Sequence, residues 1–192
     1  MKQLISRRSF LKAAGVTTAV AAVSLGAPAA SACYPGSFKD ITILYTNDVH
    51  TYIDKKSPEL TYAAIAALKK SYQDAGKNVL LVDAGDHIQG TAYGSMDEGA
   101  SIIQLMNAAG YDVATPGNHE FDYGFANLQT IFKDAKFKVI GNIQYNGKLA
   151  FDGTTTVTTA GGVKVGFLGL TTPETATKAH PAKIQGVTFM AK

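Results

Sequence analysis

The feature that most constrains the fold is a short apolar run in the middle of the chain, Val79-Leu80-Leu81-Val82. Polar residues do not alternate with apolar ones in this run, so a strand formed here needs cover on both faces. Parallel sheets provide that cover, because the helices that connect their strands pack on both sides. The run therefore predicts an α/β fold with a parallel sheet.

The rest of the chain alternates between strand and helix patterns, as such a sheet requires. Apolar residues recur at helical spacing in three segments, and Gly or Pro ends many of the elements. We predict strands at residues 41–46, 79–82, 113–115 and 137–143, helices at residues 62–74, 99–109 and 125–135, and a hairpin of residues 154–159 and 163–168. Strands and helices in this order form a mostly parallel sheet through right-handed crossovers.

Residues 1–32 have the features of an export signal. Arg7-Arg8 is followed by Phe10-Leu11-Lys12, as in twin-arginine signals. A weakly apolar run at residues 13–25 is short for a membrane span, and Ala30-Ser31-Ala32 is a small-residue cleavage site. We predict a twin-arginine signal peptide at residues 1–32, export to the periplasm or beyond, and no stable membrane span after cleavage. The alternative is an uncleaved anchor or a basic cytosolic tail.

Charge and cysteine content exclude two classes of site in the predicted mature chain, residues 33–192. Four of the 18 Lys and Arg residues and none of the acids lie in residues 1–32, which leaves 14 basic residues against 15 acidic ones. This balance gives no electrostatic basis for nucleic acid binding. Cys33 is the only cysteine, so intrachain disulfides and thiolate metal sites are excluded. Lipidation of Cys33 stays open, although Ala30 occupies a position where lipidation signals favour Leu.

Side chains that can bind metal follow three of the predicted strands. Asp48 and His50 follow the first strand, Asp86 follows the second, and Asn118 and His119 follow the third. The carboxyl ends of parallel strands meet at one edge of a sheet, where α/β proteins place their sites. If the first strand stays extended to its end, Asp48 and His50 point to the same face. Carboxylate and imidazole together suit zinc, manganese, iron or nickel. An Asx turn at Asp48 with an exposed His50 is the alternative for that motif alone.

These motifs resemble the signature of the calcineurin-like metallophosphoesterases. The residues that carry the resemblance are Asn47-Asp48-Val49-His50, Gly85-Asp86 and Gly117-Asn118-His119-Glu120, and residues 44–50, 83–91, 117–124 and 171–175 resemble the branch of bacterial 5′-nucleotidases, UDP-sugar hydrolases and 2′,3′-cyclic phosphodiesterases. The resemblance extends from about residue 41 to residue 189. It implies an α/β/β/α sandwich, of which this chain would form the first half of the catalytic domain.

The resemblance also implies a role for each matching residue. Two divalent ions, such as Zn, Mn or Co, would activate a hydroxide for in-line attack on the phosphate ester of a nucleotide. The implied metal ligands are Asp48 and His50 for the first ion, Asp86 as the bridge, and Asn118 for the second ion. His119 would stabilise the phosphoryl oxygens and assist the leaving group, and Asp122 would fix the tautomer of His119.

The remaining polar residues are assigned supporting or surface positions. We expect Asp83 to form hydrogen bonds at a strand end, His87 to be exposed or secondary, Glu120 to support its turn, Asn142 to cap a strand, and His180 to lie in a surface loop.

The sequence departs from the family pattern in its later part. The family uses three further histidines, two of them in a Gly-His-x-His element, but the histidines of this chain are His50, His87, His119 and His180. We also expect the separate nucleoside-binding domain of the family to be missing from this chain. We therefore expect a truncated or fragmentary chain, with its second half lost or supplied by another chain, an unpaired sheet edge, weak metal affinity and little turnover. The alternatives are a 2′,3′-cyclic-nucleotide phosphodiesterase, a thiosulfate-oxidation relative, or a non-catalytic remnant or binding fragment without metals.

Overall fold

A four-stranded parallel sheet is the centre of the computed structural model, which describes residues 40–53 and 61–190. Its strands lie in the order β1 (Ile41–Thr46), β2 (Asn78–Asp83), β3 (Val113–Ala114) and β4 (Lys138–Val139). The helices are α1 (Tyr62–Asp74), α2 (Ala92–Ser95), α3 (Ala100–Ala109), α4 (Phe125–Ile131) and α5 (Thr175–Lys178). The prediction of an α/β fold with a parallel sheet is confirmed, whereas the predicted signal peptide lies outside the described residues.

The β2 strand is buried as its unbroken apolar sequence requires. Val79, Leu80 and Leu81 are at most 7 % exposed, and β2 pairs with β1 on one side and with β3 on the other. The core next to this strand contains Ile65 of α1 and Met106 of α3. Burial of these apolar side chains is the main stabilising contribution to such a layer. The central strand therefore places the loops at its carboxyl end on a rigid support.

The later part of the chain forms two antiparallel sheets. The strands β5 (Ile143–Tyr145), β6 (Lys148–Leu149) and β9 (Val187–Phe189) form one of them, in the order β6-β5-β9. The other is the hairpin of β7 (Thr154–Thr158) and β8 (Lys164–Leu168). The predicted hairpin is therefore confirmed, but β6 and β9 are too short to have been predicted from their sequence patterns.

The prediction of one strand over residues 137–143 is wrong. The segment pairs with β3 only over Lys138–Val139, and the chain joins a different sheet at Ile143. Asn142 lies where this change occurs, and its side chain accepts a hydrogen bond from the Thr171 amide at 2.7 Å and donates one to the Met190 carbonyl at 2.6 Å. Asn142 thus joins three segments and is not a simple strand cap.

Among the described residues, β1 is an edge strand and pairs only with β2. Two of its apolar side chains are open to solvent, since Ile43 is 47 % exposed and Tyr45 is 75 % exposed. Within residues 40–53 and 61–190, no helix has the length and apolar character needed to cross a membrane.

A buried ion pair anchors α1 to the strand layer and gives a test of the fold. The Lys69 ammonium lies 2.7 Å from Asp112 and also donates to the Gly110 carbonyl, and Asp112 accepts the Leu81 amide at 2.7 Å. Lys69→Met should lower the free energy of unfolding by about 3 kcal/mol, because it leaves a largely buried carboxylate without its cation. Urea denaturation measures the change.

The neighbouring Lys70 provides the matched control for this prediction. It pairs with Asp74 at 2.8 Å, but both side chains are more than 60 % exposed. Lys70→Met should therefore change stability by less than about 0.5 kcal/mol. Equal effects of the two substitutions would contradict a structural role for the Lys69–Asp112 pair.

Candidate functional site

The loop after β1 brings Asp48 and His50 together, but not through an extended strand. Both residues have positive φ, 54° at Asp48 and 47° at His50, so the extended geometry under which the sequence would place them on one face is not present. The Asp48 amide donates to the Gly85 carbonyl and the His50 amide to the Asp86 carbonyl. These bonds fold the loop against the loop after β2. As a result, Nε2 of His50 lies 3.8 Å from Oδ1 of Asp48.

His50 is oriented by its second ring nitrogen. Nδ1 lies 3.0 Å from the carbonyl oxygen of Gln89, which can only accept a hydrogen bond, so Nδ1 carries the proton. The lone pair of Nε2 is then available for a cation. This arrangement, in which a backbone carbonyl fixes the tautomer of a histidine, is typical of metal ligands.

Asp86 is the most buried of the predicted ligands. Its side chain is 9 % exposed and its φ is 60°, and its Oδ1 accepts the His119 amide at 2.8 Å. Burial raises the pKa of the Asp86 carboxyl, the His119 amide opposes that effect, and the nearby Glu120 charge and a contact with the Asp48 carboxyl raise the pKa further. Two carboxyl groups in contact favour a cation between them.

The loop after β3 places His119 beside these residues, whereas no side-chain hydrogen bond in the described part of the chain joins Asn118 to them. Asn118 precedes a 3-10 turn, His119–Phe121. The His119 ring meets the His50 ring edge to face at 5.1 Å between centroids, and Nδ1 of His119 lies 2.8 Å from Oδ2 of Asp122. The predicted pairing of His119 with Asp122 is therefore present in the structure.

The strand ends converge on one cluster. One ligand atom each of His50, Asp86 and His119 lies within 4.8 Å of the others, and Asp48 contacts two members of this cluster. His119 was predicted to act on substrate and not on metal. Its position in the cluster is compatible with either role, and so is its bond to Asp122, since a carboxylate often orients a histidine that binds metal.

The charge state of His119 depends on Asp122, which gives a second prediction. Burial lowers the pKa of His119, but the hydrogen bond and the charge of Asp122, together with the Asp86 and Glu120 charges, outweigh it and raise the pKa above its ordinary value. Asp122→Asn should therefore lower the pKa of His119, as an NMR titration of the metal-free chain would detect. The exposed control Asp134→Asn should leave the titration of His119 unchanged, and an unaltered titration in Asp122→Asn would contradict the pairing.

A buried polar cluster beneath the site was largely missed by sequence reasoning. His87 was expected to be exposed or secondary, and because it is fully buried, only the secondary position agrees with the structure. Its Nδ1 lies 2.8 Å from Asp83 and 3.5 Å from Glu120. Burial lowers the pKa of His87, but the charges of Glu120 and Asp83 outweigh this effect and raise the pKa to about 9.

The other two members of this cluster fit their predicted supporting roles. Asp83 accepts hydrogen bonds from the Thr46 hydroxyl and the Gly85 amide, and Glu120 accepts four backbone amides, described below. The signal that could have revealed His87 is its spacing, since Asp83 lies four residues earlier at the end of a buried strand. His180, by contrast, is exposed, as expected.

Sequence comparison assigns most of the chain to known families. Residues 41–184 match the calcineurin-like phosphoesterase family. Residues 4–24 match the signal sequence of the twin-arginine translocation pathway. The predicted signal is therefore confirmed, and it implies export across the membrane; cleavage after residue 32 stays a prediction.

Three relatives illustrate the match. A snake venom 5′-nucleotidase from Gloydius brevicauda is 36 % identical over 163 residues, 76 % of this chain and 28 % of that protein. A 5′-nucleotidase precursor from Thermus thermophilus has a TM-score of 0.68 and 31 % identity, over 79 % of this chain and 32 % of that one. The sulfate thiohydrolase SoxB from T. thermophilus has a TM-score of 0.67 over 82 % of this chain and 40 % of its own, but at 15 % identity the likeness shows the fold alone. This chain thus spans between 28 % and 40 % of the length of these proteins.

Proposed function

The chain belongs to the calcineurin-like phosphoesterase family, and on that premise we propose that it is an exported, metal-dependent phosphohydrolase of the 5′-nucleotidase type. The proposed substrates are phosphate esters of nucleotides, because the relatives at 30 % identity or more include proteins named 5′-nucleotidases. The twin-arginine signal supports export, and we propose the periplasm or the extracellular space as the location.

One observation carries the proposal. Two imidazoles and one carboxylate from three different loops offer ligand atoms within 4.8 Å of one another. These loops follow the adjacent parallel strands β1, β2 and β3, which is where α/β enzymes hold their substrates. Turn formation or surface solvation would not require three loops to direct such groups at one point.

The residues present fit divalent cations. The contact between the Asp48 and Asp86 carboxyls places negative charge together, and burial of Asp86 disfavours that charge in the absence of a positive neighbour. Nε2 of His50 and the amide oxygen of Asn118 add the ligand types that zinc, manganese or cobalt accept. We propose Asp48 and His50 as ligands of one ion, Asp86 as the bridge and Asn118 as a ligand of a second ion.

His119 and Asp122 are proposed to act on the substrate. A bound divalent cation would supply charge stabilisation and lower the pKa of a water to about 7, which makes a nucleophile available. Asp122 orients the His119 imidazole and raises its pKa, which favours its imidazolium form, and His119 is 40 % exposed at its side chain. Such an imidazolium can stabilise the phosphoryl oxygens and donate its proton to the departing oxygen.

The test measures cation binding and hydrolysis by the full chain. Calorimetric titration with Mn²⁺ and Zn²⁺ should detect binding, and phosphate release from adenosine monophosphate should depend on these ions. We expect weak binding and slow turnover, because the described residues provide four proposed protein ligands for two ions. Absence of binding would support a non-catalytic remnant and overturn the proposal, whereas hydrolysis of 2′,3′-cyclic nucleotides in preference to the monophosphate would replace the proposed substrate.

A further inference from the structure

The carboxylate of Glu120 lies beneath the candidate site and touches no solvent. It accepts four backbone amides. Oε1 accepts from His87 at 2.7 Å and Ile88 at 3.2 Å, and Oε2 accepts from Asp86 at 2.7 Å and Gly117 at 2.6 Å. A carboxylate has about four acceptor positions. All of them are filled by the protein, so Glu120 has no capacity left to bind a cation itself.

The four amides belong to two loops that carry two of the four proposed ligands, Asp86 and Asn118. Three are consecutive, from Asp86 to Ile88 in the loop after β2, and the fourth is Gly117 in the loop after β3. One side chain therefore sets the distance and register between these loops. Since Asn118 and His119 follow Gly117 directly, the bonds to Glu120 also set where those two residues stand relative to Asp86.

The conformation of Asp86 explains why such support is needed. Its φ of 60° lies in the left-handed region, which residues with a Cβ rarely adopt without local compensation. Glu120 holds the amide of Asp86, and the His119 amide holds the Asp86 carboxylate at 2.8 Å. The backbone and the side chain of Asp86 are thus both held by one short segment, residues 117–120.

We propose that Glu120 is a positioning residue of the cation site, which holds Asp86 in its left-handed conformation and thereby determines the affinity for divalent cations. The inference rests on the proposed function, because it requires that cations bind at Asp86. By linkage, a bound cation must stabilise the same hydrogen bonds that favour its binding.

The principal test is Glu120→Gln in the full chain, with Mn²⁺ affinity measured by calorimetry. The amide NH₂ of Gln would face two of the four backbone N–H donors, so two hydrogen bonds are lost and donors are brought against donors. We expect the affinity for Mn²⁺ to fall by about 10-fold to 100-fold, as when other residues that orient metal ligands are replaced. The metal-free variant should also show faster amide exchange at the residues that lose their acceptor, while Ala84, whose amide bonds the Thr46 carbonyl, stays unchanged.

Two control variants separate positioning from general stability. Glu174 is exposed and lies 3.4 Å from Lys178, so Glu174→Gln should keep the wild-type affinity. Lys69→Met is expected to destabilise the fold away from the site and should also keep the affinity. A folded Glu120→Gln variant that binds Mn²⁺ as tightly as the wild type would overturn the inference and leave the proposed function intact. Absence of Mn²⁺ binding by the wild type would overturn both.

A measurement on the wild type decides the matter if Glu120→Gln does not fold. Addition of Zn²⁺ should slow hydrogen exchange at the amides of Asp86, His87, Ile88 and Gly117 more than at Ala84. The inference would be overturned if bound Zn²⁺ left exchange at these four amides unchanged, or slowed it no more than it slowed exchange at Ala84.

Discussion

Replacing Asp86 with Asn should abolish cation binding and at the same time stabilise the metal-free chain. Asn retains the shape of the side chain, can still accept the His119 amide, and tolerates the left-handed conformation at this position. It removes the negative charge and the second oxygen that a bridge between two ions needs. We expect the affinity for Mn²⁺ to fall by more than about 100-fold, beyond the range for residues that only orient ligands.

The gain in stability follows from the direction of the pKa shift. Burial raises the pKa of Asp86, and contact with Asp48 adds to the effect. An acid whose pKa is higher in the folded state favours folding when it is protonated, and this contribution is lost as pH rises through the folded pKa. At neutral pH the ionised carboxylate therefore destabilises the metal-free chain, and Asn removes that cost.

Urea denaturation of the metal-free chains at several pH values measures this effect. The free energy of unfolding of Asp86→Asn should exceed that of the wild type only slightly in acid, and the difference should grow as the pH approaches neutrality. Asp74, which is exposed and paired with Lys70, provides the control Asp74→Asn, for which no comparable growth is expected. A neutral-pH stability of Asp86→Asn below that of the wild type would contradict the electrostatic cost of the Asp86 carboxylate. An unchanged affinity for Mn²⁺ would contradict the assignment of Asp86 as a cation ligand.

The sequence predicted the layout of the fold because its signals are local. The unbroken apolar run at residues 79–82 identified the central strand, and helical spacing identified α1 over Tyr62–Asp74. The same logic placed the site residues, since parallel strands end at one edge. What could not be predicted depends on contacts between distant residues. Asn142, for example, bonds to Thr171 and Met190 at the point where the chain leaves a strand that local propensity would continue.

The candidate site shows the same division between local and distant causes. The residue types and their loops were accessible from motifs, but the left-handed conformations at Asp48, His50 and Asp86 were not. Those conformations are imposed by bonds between loops, such as that from the His50 amide to the Asp86 carbonyl. The burial of His87 likewise follows from Glu120, which is 33 residues away in the chain.

The loops after β2 and β3 approach each other closely at Gly85 and Gly117, where neither residue has a side chain. Adding a methyl group at Gly85 should have the second large effect, on the free energy of unfolding. A Cβ atom at Gly85 would lie 2.7 Å from Cα of Gly117, and one at Gly117 would lie 2.8 Å from the amide nitrogen of Asp86. Gly85 also has a φ of 106°, which a residue with a side chain rarely adopts. Gly85→Ala should therefore destabilise the fold by about 3 kcal/mol or more, from overpacking and backbone strain together.

Four alanine substitutions separate these two causes. Gly117→Ala adds overpacking without a positive φ and should cost about 1–3 kcal/mol. Gly76→Ala adds strain at a φ of 70° in open space and should cost about 1 kcal/mol. Gly153→Ala meets no atom within 4 Å and has no positive φ, so it should be neutral or slightly stabilising. The four free energies of unfolding come from urea denaturation.

Measurements of cation affinity show whether the close approach of the two loops serves the cation site or only the stability of the fold. Gly85→Ala and Gly117→Ala push against the backbone or side chain that positions Asp86, so both should weaken Mn²⁺ binding by at least about 10-fold where they remain folded. Gly76→Ala strains the chain after α1, away from these loops, and should bind Mn²⁺ as the wild type does. If Gly117→Ala kept full affinity despite its loss of stability, the close approach of the two loops would serve packing only, and the geometry of Asp86 would not depend on it.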